Sequence, residues 1–350
     1  MLKKRALSEA SQIMNGLSNV EQDFCIQPPE VTNSTKVIST GSTLLDLAIT
    51  GTRRRGGGVP GGIIVEVFGP SGCGKTAVLA EMAAYAQARG GDVRFDDPEA
   101  RLDQEYSEIY GMKLQAKNYR RPDTVREMFQ GLWEWEPAPK KKGAINLSGE
   151  DSLAALSTEM EMEDQDKMGM KRAKDFSEGL RKTCRLIANN NLLIVCTNQE
   201  REGTDGHAHT PGGKGIPYYA SLRIRITPVF GKDKIFRSKT INNVKHDAVI
   251  GIRSLCEVKK SSIDIPYRKA PVHIVFGLGI DDIRGNLTWM KEINGLKKFV
   301  AVDKEFAFVE EAIKHIESND LEAPLRESVI DTWEKIQREL AIERKRKIRL

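Results

Sequence analysis

Eight consecutive residues, Gly69-Pro70-Ser71-Gly72-Cys73-Gly74-Lys75-Thr76, carry the most specific chemistry in the chain. They form a complete G-x-x-x-x-G-K-[ST] pattern. Glycines at the fixed positions let backbone amides curl around a phosphate, and a helix opening at the end of the loop adds its positive dipole end. Lys75 then reaches the outer phosphates of a nucleotide, and the Thr76 hydroxyl is a ligand for Mg2+. Two acidic segments supply further groups. Phe95-Asp96-Asp97-Pro98-Glu99 puts carboxylates at the end of a short apolar run, where one could polarise an attacking water. Asp151, before Ser152, follows Ala144-Ile145-Asn146-Leu147 and is the candidate second metal ligand. Ser148, Gly149 and Glu150 interrupt the apolar strand expected before it, so a surface acidic turn stays open as the other reading of Asp151.

The elements that must hold these groups alternate. Ile63 to Phe68 reads as a buried strand, and Thr76 to Arg89 as a helix stopped by Gly90-Gly91. A second strand begins at Val93, and Leu192 to Thr197 is another, after a helix from about Ala173 to Ala188. Strand–helix alternation predicts an α/β fold with a mostly parallel central sheet. Beyond Gly213 the pattern is strand-rich, with alternation over Ser221 to Ile226 and runs near Ala248 to Val258 and Val272 to Phe276. After Gly279 it turns helical, most clearly over Phe306 to Ile316 and Glu327 to Ile342. The boundaries this gives are an N-terminal helical arm over 1–36, an ATPase-type core over 37–277 and a small C-terminal α/β domain over 278–350.

Composition narrows the class. The chain has 350 residues, 54 Lys+Arg against 49 Asp+Glu and 39% hydrophobic residues. That is enough apolar material for a real core, and a net charge too small to announce a nucleic-acid partner by itself. No apolar run approaches the ~20 residues of a membrane span, and Met1 to Ala6 leads into polar sequence, so no signal peptide or membrane partner is expected. Cys25, Cys73, Cys184, Cys196 and Cys256 are widely spaced and without a C-x-x-C pair, as expected of a protein in a reducing cytoplasm.

Taken in order, the motifs resemble the RecA family of ATP-dependent recombinases, and the likeness runs along nearly the whole chain. It begins at Val37-Ile38-Ser39-Thr40-Gly41-Ser42 with Leu45-Asp46 and passes through the phosphate loop. Phe95 to Asp103 resembles the segment bearing the family's catalytic glutamate, here Glu99, and Tyr106, near Asp103, falls where the family stacks an aromatic ring on adenine. Pro122-Asp123-Thr124 and Asp151 to Leu156 also match, the latter the Walker B segment. Met168-Gly169 and the helix after it resemble the first DNA-binding loop. Asn198-Gln199 ends a strand as in the family, where the glutamine senses the γ-phosphate and moves a second DNA-binding loop. That loop would run from Glu200 to about Pro217, with Gly212-Gly213, before Tyr218-Tyr219-Ala220-Ser221-Leu222-Arg223. Lys260 resembles one of two lysines that reach a neighbouring subunit's ATP.

This resemblance implies a RecA-like P-loop NTPase core binding ATP and Mg2+. It implies a DNA-dependent ATPase that forms a helical filament on single-stranded DNA and pairs it with homologous double-stranded DNA in recombination and repair. Its implied catalytic residues are Glu99, Lys75 and Gln199, and its nucleotide contacts Gly69 to Thr76, Asp103, Tyr106 and Lys260. Thr76 and Asp151 are the implied metal ligands, and Met168, Gly169, Lys171, Arg172, Gly212 and Gly213 the implied DNA contacts. The departures are those of a divergent member of the kind phages carry, which would act in the host cytoplasm. Ser262 stands where the second lysine is expected, the second loop is short and carries His207 and His209, and the final residues are basic where the family is acidic. Residues 331–350 hold seven Lys/Arg and four Asp/Glu. They are either a solvated helix end or a surface that draws in duplex DNA. From the residues alone, Lys171-Arg172-Ala173-Lys174 reads instead as a solvated helix face. Two other activities share the fold: a recombination mediator without strand exchange, and a helicase motor.

Overall fold

The computed structural model describes residues 36–158, 170–202, 208–211, 213, 215–231 and 233–344. The expected N-terminal arm (all but Lys36), Met168, Gly169, His207, Gly212 and the basic residues after Arg344 lie outside the described residues.

Ten strands form the main sheet. Six are mutually parallel, in the spatial order β5 (Tyr119–Arg120), β4 (Val93–Asp96), β6 (Asn146–Glu150), β7 (Leu192–Gln199), β3 (Ile64–Gly69) and β10 (Leu222–Pro228). Beyond β10 the sheet continues antiparallel through β12 (Val244–Ser261), β13 (Lys269–Val275) and β14 (Gly279–Ile280), with β11 (Lys234–Ile241) paired to β12. Two-residue strands β1 (Val37–Ile38) and β2 (Val59–Pro60) pair beside it, as do β8 (Arg201–Glu202) and β9 (Ala208–His209). The inner strands β3 and β7 are covered on both faces, which explains their nearly unbroken apolar runs.

The helices are α1 (Thr43–Thr50), α2 (Lys75–Ala88), α3 (Gln104–Ile109), α4 (Val125–Glu134), α5 (Met170–Asn190) and α6 (Gly215–Tyr219). Buried Val78, Leu79, Met82, Ala83 and Ala86 seat α2 in the main core with Val65, Val67, Leu147 and Val195. A second core joins Phe129 of α4 and Phe176 of α5 to Ile64, Ile194 and Cys196. Thr124 and Glu127 close a capping box at the start of α4.

The C-terminal part consists of α7 (Asp282–Ile293), a hairpin of β15 (Phe299–Ala301) and β16 (Lys304–Phe306), α8 (Val309–Ser318) and α9 (Glu322–Glu339). Leu287, Ala301, Ala312, Ile316 and Leu325 give it a small core of its own. Val329, Ile330 and Trp333 of α9 instead enter the main core, where α9 packs on α1. Sequence periodicity places α9 later, from Glu327. It starts earlier because Pro324 falls in the first turn, where a backbone N–H has no partner to lose. Phe306, expected to begin a helix, closes the hairpin.

At the seam with α7, Asp46 is buried and accepts hydrogen bonds from Ser39 Oγ (2.5 Å), Thr40 N (2.8 Å) and Thr40 Oγ1 (2.8 Å). Burial pushes its carboxyl up to about 7 against the pull of those donors.

Candidate nucleotide-binding site

The phosphate loop leaves β3 and enters α2 through three residues with positive φ: Gly69 (154°), Gly72 (71°) and Gly74 (95°). A Cβ on Gly69 would lie 2.0 Å from the Ile226 carbonyl oxygen, and one on Gly74 would lie 2.1 Å from Ile274 Cδ1. Helix α2 has no side-chain cap, so its first amides stay available to an anion. Lys75 Nζ donates to the carbonyls of Gly69 (3.1 Å) and Pro70 (2.7 Å), which aligns it along the loop. Cys73 is buried, and its Sγ lies 3.0 Å from the Pro70 carbonyl oxygen.

At the mouth of β6, Asp151 accepts from Thr76 Oγ1 at 2.6 Å and from Thr197 Oγ1. Burial pushes the Asp151 carboxyl up, with Glu99 and Asp97 adding to the rise and the two hydroxyls opposing it. A hydroxyl and a buried carboxylate are hard oxygen donors, the set that suits Mg2+ completed by phosphate and water. No cluster of three or more His, Cys, Asp or Glu suited to a metal occurs among the described residues. Two ligands of this kind fit an ion that arrives with a nucleotide rather than one caged by protein. The Asp151–Ser152 peptide is cis. Ser152 Oγ donates to Glu99 Oε1 at 2.9 Å, and Arg101 holds Glu99 Oε2 at 2.6 Å, so both carboxylate oxygens are fixed.

These groups line one cleft of about 430 Å3 with Gln199, Tyr106, Ile252, Ile274 and Phe276. Asp103 caps α3 by accepting from Tyr106 N (2.7 Å), and Tyr110 packs edge-on against Tyr106 with ring centroids 5.4 Å apart. The wall of Ile252 on β12, Ile274 on β13 and Phe276 just after β13 has no local motif in the sequence. It becomes visible only once the antiparallel strands are laid beside β10.

The strand before Asp151 departs from expectation. Ser148, Gly149 and Glu150 do not interrupt β6 but form it, and every residue of the strand is buried. Arg94, on β4, supplies the reason. Its guanidinium lies 2.5 Å from Asp96, 3.1 Å from Ser148 Oγ and 3.5 Å from Glu150, and donates to the Met128 carbonyl (3.3 Å). Ser148 also donates to Glu150 at 2.7 Å. Burial and the neighbouring Glu150 push Asp96 up to about 9, against the pull of Arg94. A Cβ on Gly131 of α4 would lie 2.8 Å from the Arg94 guanidinium, so that glycine makes room for it. The cluster sets β4 against β6, the strands whose ends carry Glu99 and Asp151.

From this cleft a second network leads to the loop after β7. Glu66 on β3 is fully buried, and accepts from Arg223 (2.6 Å) and Asn198 Nδ2 (3.0 Å). Asn198 Nδ2 also donates to the Pro211 carbonyl at 2.9 Å. The loop is shorter than the sequence implies, because Gly215–Tyr219 is helical. A Cβ on Gly213 would meet Ala173 at 2.8 Å, which puts the end of this loop against the first turns of α5. There Lys171 pairs with Asp175 (3.2 Å), and Arg172 donates to the carbonyls of Leu153 and Ala154 (2.8 and 2.9 Å). Lys260 stands apart from the cleft, its ammonium on the carbonyls of Pro217 and Tyr218, both at 2.9 Å.

Comparison with known proteins agrees with this arrangement. A family model described as the RecA N-terminal domain matches residues 13–281. Protein RecA of Phytoplasma mali (strain AT) is 32% identical over 300 residues, covering 83% of this chain and 83% of its own. Protein RecA of Clostridioides difficile (strain 630) is 32% identical over 309 residues, 85% of this chain and 81% of its own. Protein RecA of Thermus thermophilus is 34% identical over 253 residues, 71% of this chain and 69% of its own. With a match of this extent lying over the phosphate loop, the sheet and the loop after β7, the chain belongs to the RecA family of recombinases.

Proposed function

We propose that the protein is an ATP-dependent homologous recombinase that polymerises on single-stranded DNA, pairs it with a homologous duplex and exchanges strands. The observation that carries this reading is a single cleft holding Lys75, the Thr76–Asp151 pair, the Ser152–Glu99 pair and Gln199, on a strand whose next-to-last residue is tied to the following loop. The amides of Gly69 to Thr76 bind the phosphates, and Lys75 offsets their charge. Tyr106 covers one side of the nucleobase, with Asp103 beside it. Thr76 and Asp151 would hold Mg2+, which when bound would supply electrostatic stabilisation of the charge on the phosphates. Glu99, fixed by Ser152 and Arg101, orients the attacking water and takes its proton. Gln199 reports the γ-phosphate, and Asn198 passes its position to Pro211 and the loop carrying Gly212 and Gly213. With Met168, Gly169, Lys171 and Arg172, that loop forms the DNA surface. Lys260 would leave its two carbonyl partners to approach the nucleotide of a neighbouring subunit.

The test is ATP turnover with and without single-stranded DNA. Stimulation by DNA is expected, and Glu99→Gln should abolish turnover while leaving ATP-dependent DNA binding intact. Turnover indifferent to DNA would remove the proposal; loss of both properties in the variant would remove the role given to Glu99. A mediator that binds nucleotide without exchanging strands is the second reading, favoured by Ser262 at the position of an expected lysine. Long helical filaments on single-stranded DNA, seen by electron microscopy, would exclude it.

A further inference from the structure

Strands β11 and β12 run on past the sheet as a free two-stranded ribbon. Every residue from Phe236 to Val249 is exposed. Asn242 and Asn243, with φ of 52° and 60°, close it in a two-residue turn whose twist matches that of the strands. The ribbon is therefore a preformed arm rather than a loose loop.

Its two faces differ in chemistry. Cross-strand pairing puts Phe236 with Val249, Ser238 with Asp247 and Thr240 with Lys245 on one face. There the only acid between Phe236 and Val249, Asp247, is consumed: Ser238 Oγ donates to it and Lys245 lies 3.3 Å away. The other face pairs Arg237 with Ala248, Lys239 with His246, and Ile241 with Val244 beside the turn. It carries two cations and an imidazole with no carboxylate. Neither Arg237 nor Lys239 makes an ion pair among the described residues. Two like-charged residues on alternate positions of one strand sit about 7 Å apart on the same face. Fixed repulsion of this kind, uncompensated on an exposed arm, is what a polyanion relieves.

We propose that this face of the β11–β12 ribbon is a contact for double-stranded DNA, with Arg237 and Lys239 on phosphates and Ile241 and Val244 against the groove. A two-stranded β-ribbon fits the major groove of a duplex, and apolar residues at a ribbon tip suit the groove interior. The inference rests on the recombinase reading above, to which it adds an arm for the incoming duplex outside the two loops.

The experiment compares faces on the full chain. Duplex oligonucleotide binding is followed by fluorescence anisotropy over a salt series for the wild type, Arg237→Ala/Lys239→Ala and Lys245→Ala. Each lost phosphate contact removes about 0.9 from the slope of log K against log salt. The double variant should lose about 1.8 and bind duplex roughly tenfold or more weakly at low salt. Lys245→Ala, a charge removed from the opposite face of the same arm, should leave the slope unchanged. Equal effects from both faces, no effect from either, or no duplex binding by the wild type would overturn the proposal. An unchanged affinity would leave the arm to an acidic protein partner instead. DNA-stimulated ATP turnover, measured on the same samples, should survive in the double variant. Its absence from the wild type would be a failure of the recombinase reading, not of the arm.

Discussion

Replacing Arg94 by methionine removes a guanidinium whose side chain is only 2% exposed and strands two carboxyls that are 1% and 3% exposed. Methionine fills much of the volume but offers nothing to Asp96, Ser148, Glu150 or the Met128 carbonyl. Removing one partner of a buried pair costs about 3–5 kcal/mol, because the remaining charge cannot be solvated. The two carboxyls can escape part of that cost by taking up protons. Asp96 already sits at about 9, raised by burial and by Glu150, against an ordinary value of 3.8. A carboxyl with a raised folded-state value stabilises below its unfolded value and loses that stabilisation as pH rises through the folded one. Without the cation Asp96 moves further up, and because the wild-type loss is complete near 9, the deficit of Arg94→Met should be larger at pH ~10 than at pH ~8. Urea denaturation at the two pH values measures it. The companion variant Arg94→Met/Asp96→Val/Ser148→Ala/Glu150→Leu makes the whole site apolar and should recover the loss, since well-packed apolar residues equal or exceed buried ion pairs. A cost below about 1 kcal/mol for Arg94→Met, or one that does not change with pH, would show that Arg94 does not compensate these buried acids.

Three further outcomes follow from the same structure. Asp46, raised to about 7 by burial, supports the fold fully below pH ~4 and progressively less as pH rises through 7. Thermal melts of Asp46→Asn should therefore gain on the wild type between pH 4 and pH 8, by an amount on the order of 2–4 kcal/mol. Asp151→Asn keeps an acceptor for one of its two threonine hydroxyls but loses the charge. A Mg2+ titration of ATP turnover should show a requirement roughly tenfold higher or more, while stability stays level because the buried charge is gone. Mass spectrometry after iodoacetamide treatment at pH 7.5 should find exposed Cys184 modified roughly tenfold faster than Cys73, Cys196 or Cys256. Burial raises all three of those thiols, Cys73 included despite Lys75 beside it.

What can be read from the sequence divides by distance along the chain. The phosphate loop is legible because its eight residues are contiguous and its glycines answer local backbone demands, as the positive φ of Gly72 and Gly74 shows. Glu99 and Gln199 are legible because they fall just past the end of β4 and at the last position of β7. The polarity of β6 looks like a defect because its compensation lies 54 residues upstream in sequence, at Arg94 against Ser148. No pattern confined to residues 144–151 contains that partner. Phe276 and Ile252 escape for the same reason, since only the antiparallel side of the sheet brings them to the cleft. Thr197 is part of a legible strand, yet its hydroxyl on Asp151 depends on the pairing of β6 with β7. The second loop, bounded near Pro217 by the resemblance alone, reads as too long because the short helix Gly215–Tyr219 admits Pro217 in its first turn, where proline is tolerated.

Asn198 reaches in two directions with one amide nitrogen, to Glu66 beneath the phosphate loop and to the Pro211 carbonyl beyond it. Such a link is indifferent to which end is pulled. If nucleotide draws the loop into a preferred position by some free energy, then whatever ligand fixes the loop in that position must tighten nucleotide by the same free energy. Affinity for ATP would then depend on what the loop is holding, and a subunit already seated on its polymer would retain nucleotide at concentrations too low to charge a free one. Asn198, which does not line the nucleotide cleft, would set that threshold from outside it.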